Sequence, residues 1–307
     1  SIAAAPAGFV NGVYTQDSRR FREVNTDFLF GSNNKFGDFG LNVNFGGNHM
    51  YVRSDLNSVQ VTDFVVRGLY TVQNGRAKDP TYDLRERAVN SLYGSAEVNY
   101  KQFLFLTANL RNDWFSTLSK ENRSILYPSV ALSYVFSQSL KNQPRWLDFG
   151  KVRAAYTEVG SDTDVPEYAN LLFYGVNANL SNGSPVGGSN GNTVPNPNLR
   201  PMRTKETEFG LEMKMFDYRL GVEVSVYDKR TIDQIVSAQI SDASGFVNTR
   251  INSGESQNQG FELTLNVVPV RQKDFQWDFT FAGAYNKTKV LSLLTNTPGE
   301  RITVGTH

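Results

Sequence analysis

The chain has 307 residues, 31 basic and 30 acidic side chains, a net charge of +1 and 12% aromatic content. No basic stripe stands out, which removes the electrostatic footprint of a nucleic-acid partner. The absence of cysteine removes disulfide scaffolds, thiolate metal sites and cysteine nucleophiles. No run approaches the ~18 apolar residues of a membrane helix. A transmembrane barrel stays open, because its ~10-residue alternating segments escape a hydropathy window.

The opening "SIAAAPAGFV" is small and apolar but has no basic segment, so it is not a signal peptide and reads as the interior of a longer protein. Period-two alternation then predicts ten strands and no helix, near 20–31, 38–47, 90–99, 102–113, 127–137, 148–159, 205–215, 220–229, 259–268 and 274–286. In "TKETEFGLEMKMFDYRLGVEVSVYDKR" (204–230), Phe209, Leu211, Met213 and Met215 alternate with Glu208, Gly210, Glu212 and Lys214. Leu220, Val222, Val224 and Val226 repeat the pattern after a four-residue turn, as do Phe261, Leu263, Leu265 and Val267, then Phe275, Trp277, Phe279 and Phe281. Alternate residues point to opposite faces of a strand, so each arm has one apolar and one charged face. Such arms run about ten residues, longer than the usual five or six.

Short links are expected at 32–37, 100–101, 216–219 and 269–274, a medium one at 137–147, and long ones at 48–89, 114–126, 160–204 and 230–258. Short and long connections alternating along the chain fit a transmembrane barrel with short periplasmic turns and long extracellular loops. The apolar faces then meet lipid. Glu208, Glu212, Lys214, Glu223 and Lys229 face a wet lumen. A soluble fold with the apolar faces on a protein core is the competing reading.

Three stretches carry a family resemblance. The first, "TANLRNDWFSTLSKENRSILYPSVALSYVFS" (107–137), holds Arg111, Asp113, Tyr127, Pro128 and Ser129. The second is "NPNLRP" (196–201), and the third (252–293) places Asn252, Gly254, Asn258, Gly260 and Glu262 before a long strand. In this order they resemble the SusC/RagA family of TonB-dependent outer-membrane transporters. Met202, Ser253 and Phe115 depart from that pattern. From the residues themselves, Pro197 and Pro201 suit the lead-in to a strand. Gly254 and Gly260 suit a tight backbone or a bulge, and Asn258 suits a side-chain-to-backbone turn. These motifs shape the barrel rather than bind ligand.

The resemblance implies an all-β fold: an antiparallel transmembrane β-barrel segment, about ten strands of a 22-stranded type, with residues 1–307 forming part of the barrel domain and neither plug nor TonB box in the chain. It implies an outer-membrane importer of oligosaccharides or peptides in a Gram-negative bacterium of Bacteroidota type. The implied partners are a SusD-like surface lipoprotein, TonB through a region outside this chain, and outer-membrane lipid, with no cofactor and no catalytic residue. A passive porin-like barrel and a soluble β-rich carbohydrate-binding module are the alternatives.

No enzyme or metal constellation is expected. His49 has no cysteine or second histidine nearby, and the paired glycines of "FGGNH" and "PVGGSNGN" lack a phosphate-loop lysine. Glu206/Glu208 and Asp162/Asp164 lie two apart and fit acidic lining better than a glycosidase pair. "SDTD" (161–164) offers oxygen ligands without a full calcium loop. Tyr100, Trp114, Tyr127, Trp146 and Tyr218 suit interfacial girdles. Tyr168 and Tyr174, inside the 160–204 loop, are the candidates for substrate contact.

Overall fold

The computed structural model describes residues 12–162, 165–189 and 191–293. Its strands are β1 (Val13–Phe36), β2 (Phe39–Phe64), β3 (Gly75–Tyr100), β4 (Leu104–Phe115), β5 (Ser124–Tyr134), β6 (Leu147–Ser161), β7 (Tyr174–Ser181), β8 (Ser184–Ser189), β9 (Thr193–Val194), β10 (Met202–Met215), β11 (Leu220–Gln239), β12 (Asn248–Arg271) and β13 (Gln276–Ser292). One sheet has the hydrogen-bonded order β1-β2-β3-β4-β5-β6-β10-β11-β12-β13, with β9 joining β12 off the path, and β7 and β8 form a separate hairpin. Sequence neighbours are sheet neighbours almost throughout, as in an up-and-down meander. The ten expected strands are the ten strands of the path. Helical structure among the described residues is limited to single turns at Phe136–Ser139, Val72–Asn74 and Asp242–Ser244.

The strands run well past their expected ends. β2 and β3 consume most of the expected 48–89 link, leaving 65–74, and β11 and β12 reduce 230–258 to 240–247. Only 162–201 remains a long connection, and it contains the β7–β8 hairpin. Aromatics mark the opposite strand ends: Tyr100 packs its ring on Phe39 and Phe103, and Trp146 and Tyr218 are exposed. There the Lys101 ammonium sits 3.3 Å from Asp38, which holds it above its ordinary pKa, the hydrogen bond contributing most and the carboxylate charge next.

The chain divides into two compact units, Ser1–Thr26 with His49–Val89, and Asp27–Asn48 with Asn90–His307. In the first, Val61 and Phe64 are buried and the Phe64 ring packs edge-on against Tyr70. The buried Asn74 side chain stitches the β2–β3 connection. Its Oδ1 accepts from Val66 N at 2.9 Å, and its Nδ2 donates to Val66 O and Leu69 O at 2.7 and 2.5 Å.

In the second unit the register aligns apolar side chains in rows across strands. Ala154, Phe209, Val226, Phe261 and Tyr285 form one row; Val152, Leu211, Val224, Leu263 and Gly283 form the next. Rows of Gly150, Met213, Val222, Leu265 and Phe281, and of Leu220, Val267 and Phe279, continue the face. Leu106, Leu132, Val130 and Leu110 extend it through β4 and β5. From Leu220 to Val226 the band covers about 20 Å along the strand. Phe209, Phe261, Phe279 and Phe281 are each about half exposed. Large apolar groups therefore lie on an open face, while buried apolar residues such as Phe115, Leu118, Val165 and Leu199 gather near the longer connections.

Candidate functional site

The opposite face of the same strands is polar, and it is fixed by the same register. Between the apolar positions of β6, β10, β11 and β12 stand Lys151 and Arg153, Glu206 to Lys214, Glu223 to Lys229, and Asn258 to Glu262. They are cross-linked across strands. Arg153 donates to Glu208 at 3.0 Å and to Glu223 at 2.8 Å, bridging two neighbouring strands. Lys151 meets Glu212 at 2.7 Å, Lys214 reaches the same carboxylate at 3.4 Å, and Lys229 lies 3.8 Å from Glu206. Above these pairs the wall hollows into a concavity of about 550 Å³ lined chiefly by Arg153, Glu206, Glu208, Tyr227, Lys229 and Asn258.

Paired charges of both signs, with hydroxyls and amides between them, suit hydrogen bonding to polar solutes or to a polar protein surface. Glu206 and Glu208 do share a face, as their spacing requires, and each has a cationic partner. Glu208, Glu212, Lys214, Glu223 and Lys229 stand on the polar face as expected. Arg153 and Lys151, the cations that organise them, were not singled out from the sequence. The signal was present in the alternation of Lys151, Arg153, Ala155 and Thr157 with Gly150, Val152, Ala154 and Tyr156.

A second network lies on β4 and β5. The Arg111 Nε donates to Asp113 at 2.9 Å, its Nη2 donates to Ser91, and its guanidinium lies over the Tyr93 ring. The Tyr127 hydroxyl donates to Asp113 at 2.5 Å. Tyr127 is thus a buried partner of a buried carboxylate and no girdle residue; it sits directly opposite Arg111, on the polar side of β5. Phe115, the departure from the family pattern, is buried at the end of β4, where its N–H donates to Arg123 O.

The glycine and asparagine motifs act on the backbone. Residues 232 and 233 of β11 fall out of the ladder with β12, and Asp233 adopts a positive φ of 58°. Asn252 takes up the loose ends. Its Nδ2 donates to Asp233 O and Arg200 O, both at 2.8 Å, and its Oδ1 accepts from Arg200 N at 2.9 Å. Asn196 donates to Arg250 O at 2.8 Å, so the "NPNLRP" segment is tied down on both sides before β10 begins after Pro201. A Cβ on Gly260 would come within 2.5 Å of Tyr285 O and 2.6 Å of the Tyr227 hydroxyl, so only glycine fits. Asn258 makes no turn; it lies within β12 and donates to Thr288 Oγ1 across the β12–β13 ladder at 2.7 Å.

Tyr168 and Tyr174 both lie in the long connection. Tyr168 has a positive φ of 64° and packs edge-on against Phe173, whereas Tyr174 opens β7 and is 74% exposed. The structure does not bring either to the concavity in the strand wall. Asp162, at the base of the connection, is buried and accepts from the Thr117 hydroxyl at 2.6 Å. Asp164, its expected companion, lies outside the described residues.

The family model described as TonB dependent receptor-like, beta-barrel matches residues 3–306. TonB-dependent receptor P39 of Formosa agariphila is 26% identical over 294 residues, covering 93% of this chain and 28% of that protein. TonB-dependent receptor P26 of the same organism is 31% identical over 215 residues, covering 69% and 22%. TonB-dependent receptor SusC of Bacteroides thetaiotaomicron is 24% identical, covering 72% and 22%. Among solved structures, the RagAB peptide importer in its closed-closed state superposes with a TM-score of 0.78 at 21% identity, over 92% of this chain and 32% of that one. The chain spans between a fifth and a third of the lengths of these proteins.

Proposed function

The chain belongs to the TonB dependent receptor-like β-barrel family, and from that premise we propose that it forms part of the barrel wall of an active outer-membrane importer. One observation carries the proposal: a continuous antiparallel ladder with a lipid-suited apolar band on one face and ion-paired polar groups on the other. In lipid every backbone N–H and C=O must be paired internally, which the ladder achieves strand by strand. The polar face borders the water-filled interior, where Arg153, Glu208 and Glu223 line the way for a polar solute or contact a plug. No covalent chemistry falls to this segment.

The cargo in this reading is an oligosaccharide or a peptide. A peptide fits the solved neighbour titled a peptide importer; an oligosaccharide is what the resemblance to the SusC/RagA family implies. By the same reasoning the partners are a SusD-like surface lipoprotein over the long connection, with Tyr168 and Tyr174 at its cargo-facing side, and TonB. The site is the outer membrane of a Gram-negative bacterium of Bacteroidota type.

Uptake tests this directly. In the native bacterium, labelled peptides and oligosaccharides are offered to cells lacking the gene for the complete protein and to cells with TonB inactivated. Loss of uptake of one cargo class in both strains is the expected result. Uptake that survives TonB inactivation but needs the gene describes a passive porin. A purified chain that folds as a monomer in buffer without detergent removes the membrane reading.

A further inference from the structure

Immediately beyond the last apolar row, the lipid-side face turns basic. Two residues past Phe209, Val226, Phe261 and Tyr285, the register places Tyr156, Thr207, Asp228, Gln259 and Lys287 in one row. Two residues further come Glu158, Lys205, Arg230, Gln257 and Lys289, with Arg203 next on β10. At ~3.4 Å per residue, these rows lie about 7 and 14 Å along the strands from the apolar edge. A bilayer's polar zone extends several ångströms beyond its hydrocarbon core on each side, so tilted strands present both rows to it.

The carboxylates in these rows are already engaged. Glu158 is nearly buried beneath Arg203 at 2.6 Å and Lys205 at 3.8 Å. Asp228 accepts from the Gln257 and Gln259 amides at 2.7 and 2.6 Å, with Arg230 at 3.7 Å. The cations retain outward surface: the Lys205 and Arg230 side chains are 41% and 54% exposed. Neither Lys287 nor Lys289 forms an ion pair among the described residues. Between these two rows the polar face carries Glu206 opposite Lys229, 3.8 Å apart and balanced in charge, so the excess of cations at this height lies on the lipid side.

Resting on the barrel reading above, we propose that Lys205, Arg230, Lys287 and Lys289 form a headgroup site for the phosphates of a membrane glycolipid. Several cations in two adjacent rows can contact one multivalent phosphate headgroup together, while its acyl chains lie along Phe209, Phe261 and Tyr285. Charge complementarity and this continuity with the apolar band identify the occupant as lipid. A soluble anion would leave the aromatic row below uncovered.

The test uses the complete receptor in neutral detergent, titrated with bisphosphorylated lipid A and with its dephosphorylated counterpart, and read by native mass spectrometry. Wild type should favour the phosphorylated form by about tenfold or more, since each cation near an anionic surface contributes up to about fivefold. Combined Lys205→Gln, Arg230→Gln, Lys287→Gln and Lys289→Gln should erase the preference. Charge-keeping Lys205→Arg, Lys287→Arg and Lys289→Arg should retain it, as should Lys35→Gln with Lys273→Gln at the other strand ends. A wild-type receptor without preference overturns the site, and so does a quadruple variant that keeps it. Competition by millimolar inorganic phosphate identifies a free-anion site and overturns the lipid assignment. Failure of the barrel reading looks different: a receptor that stays folded and monodisperse with no detergent at all.

Discussion

Along the first part of β2, Phe39, Leu41, Val43 and Phe45 alternate with Gly40, Asn42, Asn44 and Gly46, and Phe39, Val43 and Phe45 stay exposed. From His49 onward the alternation ends: Tyr51, Arg53, Asp55 and Asn57 interleave with Met50, Val52, Ser54, Leu56 and Ser58. Both stretches are strand. The backbone is satisfied in each by neighbouring strands, and side-chain patterning is a separate constraint. The first stretch borders two solvents, lipid on one face and water on the other, and only that contrast imposes a period of two. The second is held by polar contacts such as Tyr51 to Glu86 at 2.6 Å and Ser58 to Asp17 at 2.6 Å. Apolar alternation in this protein therefore reports where lipid lies, not where a strand stops.

The sharpest way to break that comparison is an arginine introduced at two points of one strand. Val43→Arg puts a guanidinium in the apolar band and should destabilise the membrane-inserted full-length receptor by about 2–4 kcal/mol. Asn57→Arg, exposed and outside the band, should cost less than about 1 kcal/mol. Urea unfolding from lipid vesicles measures both. Equal costs would mean that the alternating face meets protein instead of lipid.

That contrast also accounts for what was legible from residues alone. The ten strands and the faces of Phe209 to Val226 and Phe261 to Phe281 follow from alternation, and the family followed from Arg111, Asp113, "NPNLRP" and Asn252. Strand ends were invisible wherever apolar and polar residues mix on both faces, as at 49–64, 231–239 and 248–258. In the polar wall the carboxylates and lysines were legible as lumen lining. The bridging role of Arg153 was not, because it depends on a register between β6, β10 and β11 that loop lengths leave open. Tyr127 misled for a related reason: an aromatic at a strand end looks the same in one dimension whether it faces outward or toward a buried aspartate.

Two asparagines extend the comparison to the places where ladders end. Asn74 in the first unit and Asn252 in the second each make three side-chain hydrogen bonds to backbone groups that no strand pairs. Removing such a partner leaves backbone donors and acceptors to water or to nothing, at about 1–3 kcal/mol where they are buried. Asn74→Ala should cost about 2 kcal/mol, because Asn74 is buried. Its effect should be confined to faster amide exchange across 65–74. Asn252→Ala should cost about 1–2 kcal/mol, since Arg200 is exposed, and should loosen both the 196–201 segment and the β11 bulge at Asp233. Hydrogen exchange that leaves 232–234 unchanged would remove Asn252 from its latching role.

The smallest effect is expected at the most conspicuous interaction. Arg153 bridges Glu208 and Glu223 in well-formed geometry, yet its side chain is 31% exposed and its partners 32% and 47%. Water and salt screen such pairs, so each is worth at most about 1 kcal/mol. Arg153→Ala should therefore shift unfolding by no more than about 1 kcal/mol, and less at 1 M salt than at 0.1 M. Transport should respond more than stability does: two carboxylates that shared a guanidinium would face the lumen bare, making it more acidic and slowing an anionic cargo relative to a cationic one. Arg153→Lys restores the charge but not the two-armed bridge. If transport tracks charge, the lysine variant matches wild type for both cargo classes. If it tracks the bridge, lysine behaves like alanine, and the side chain's role is to hold two strands of the wall in register.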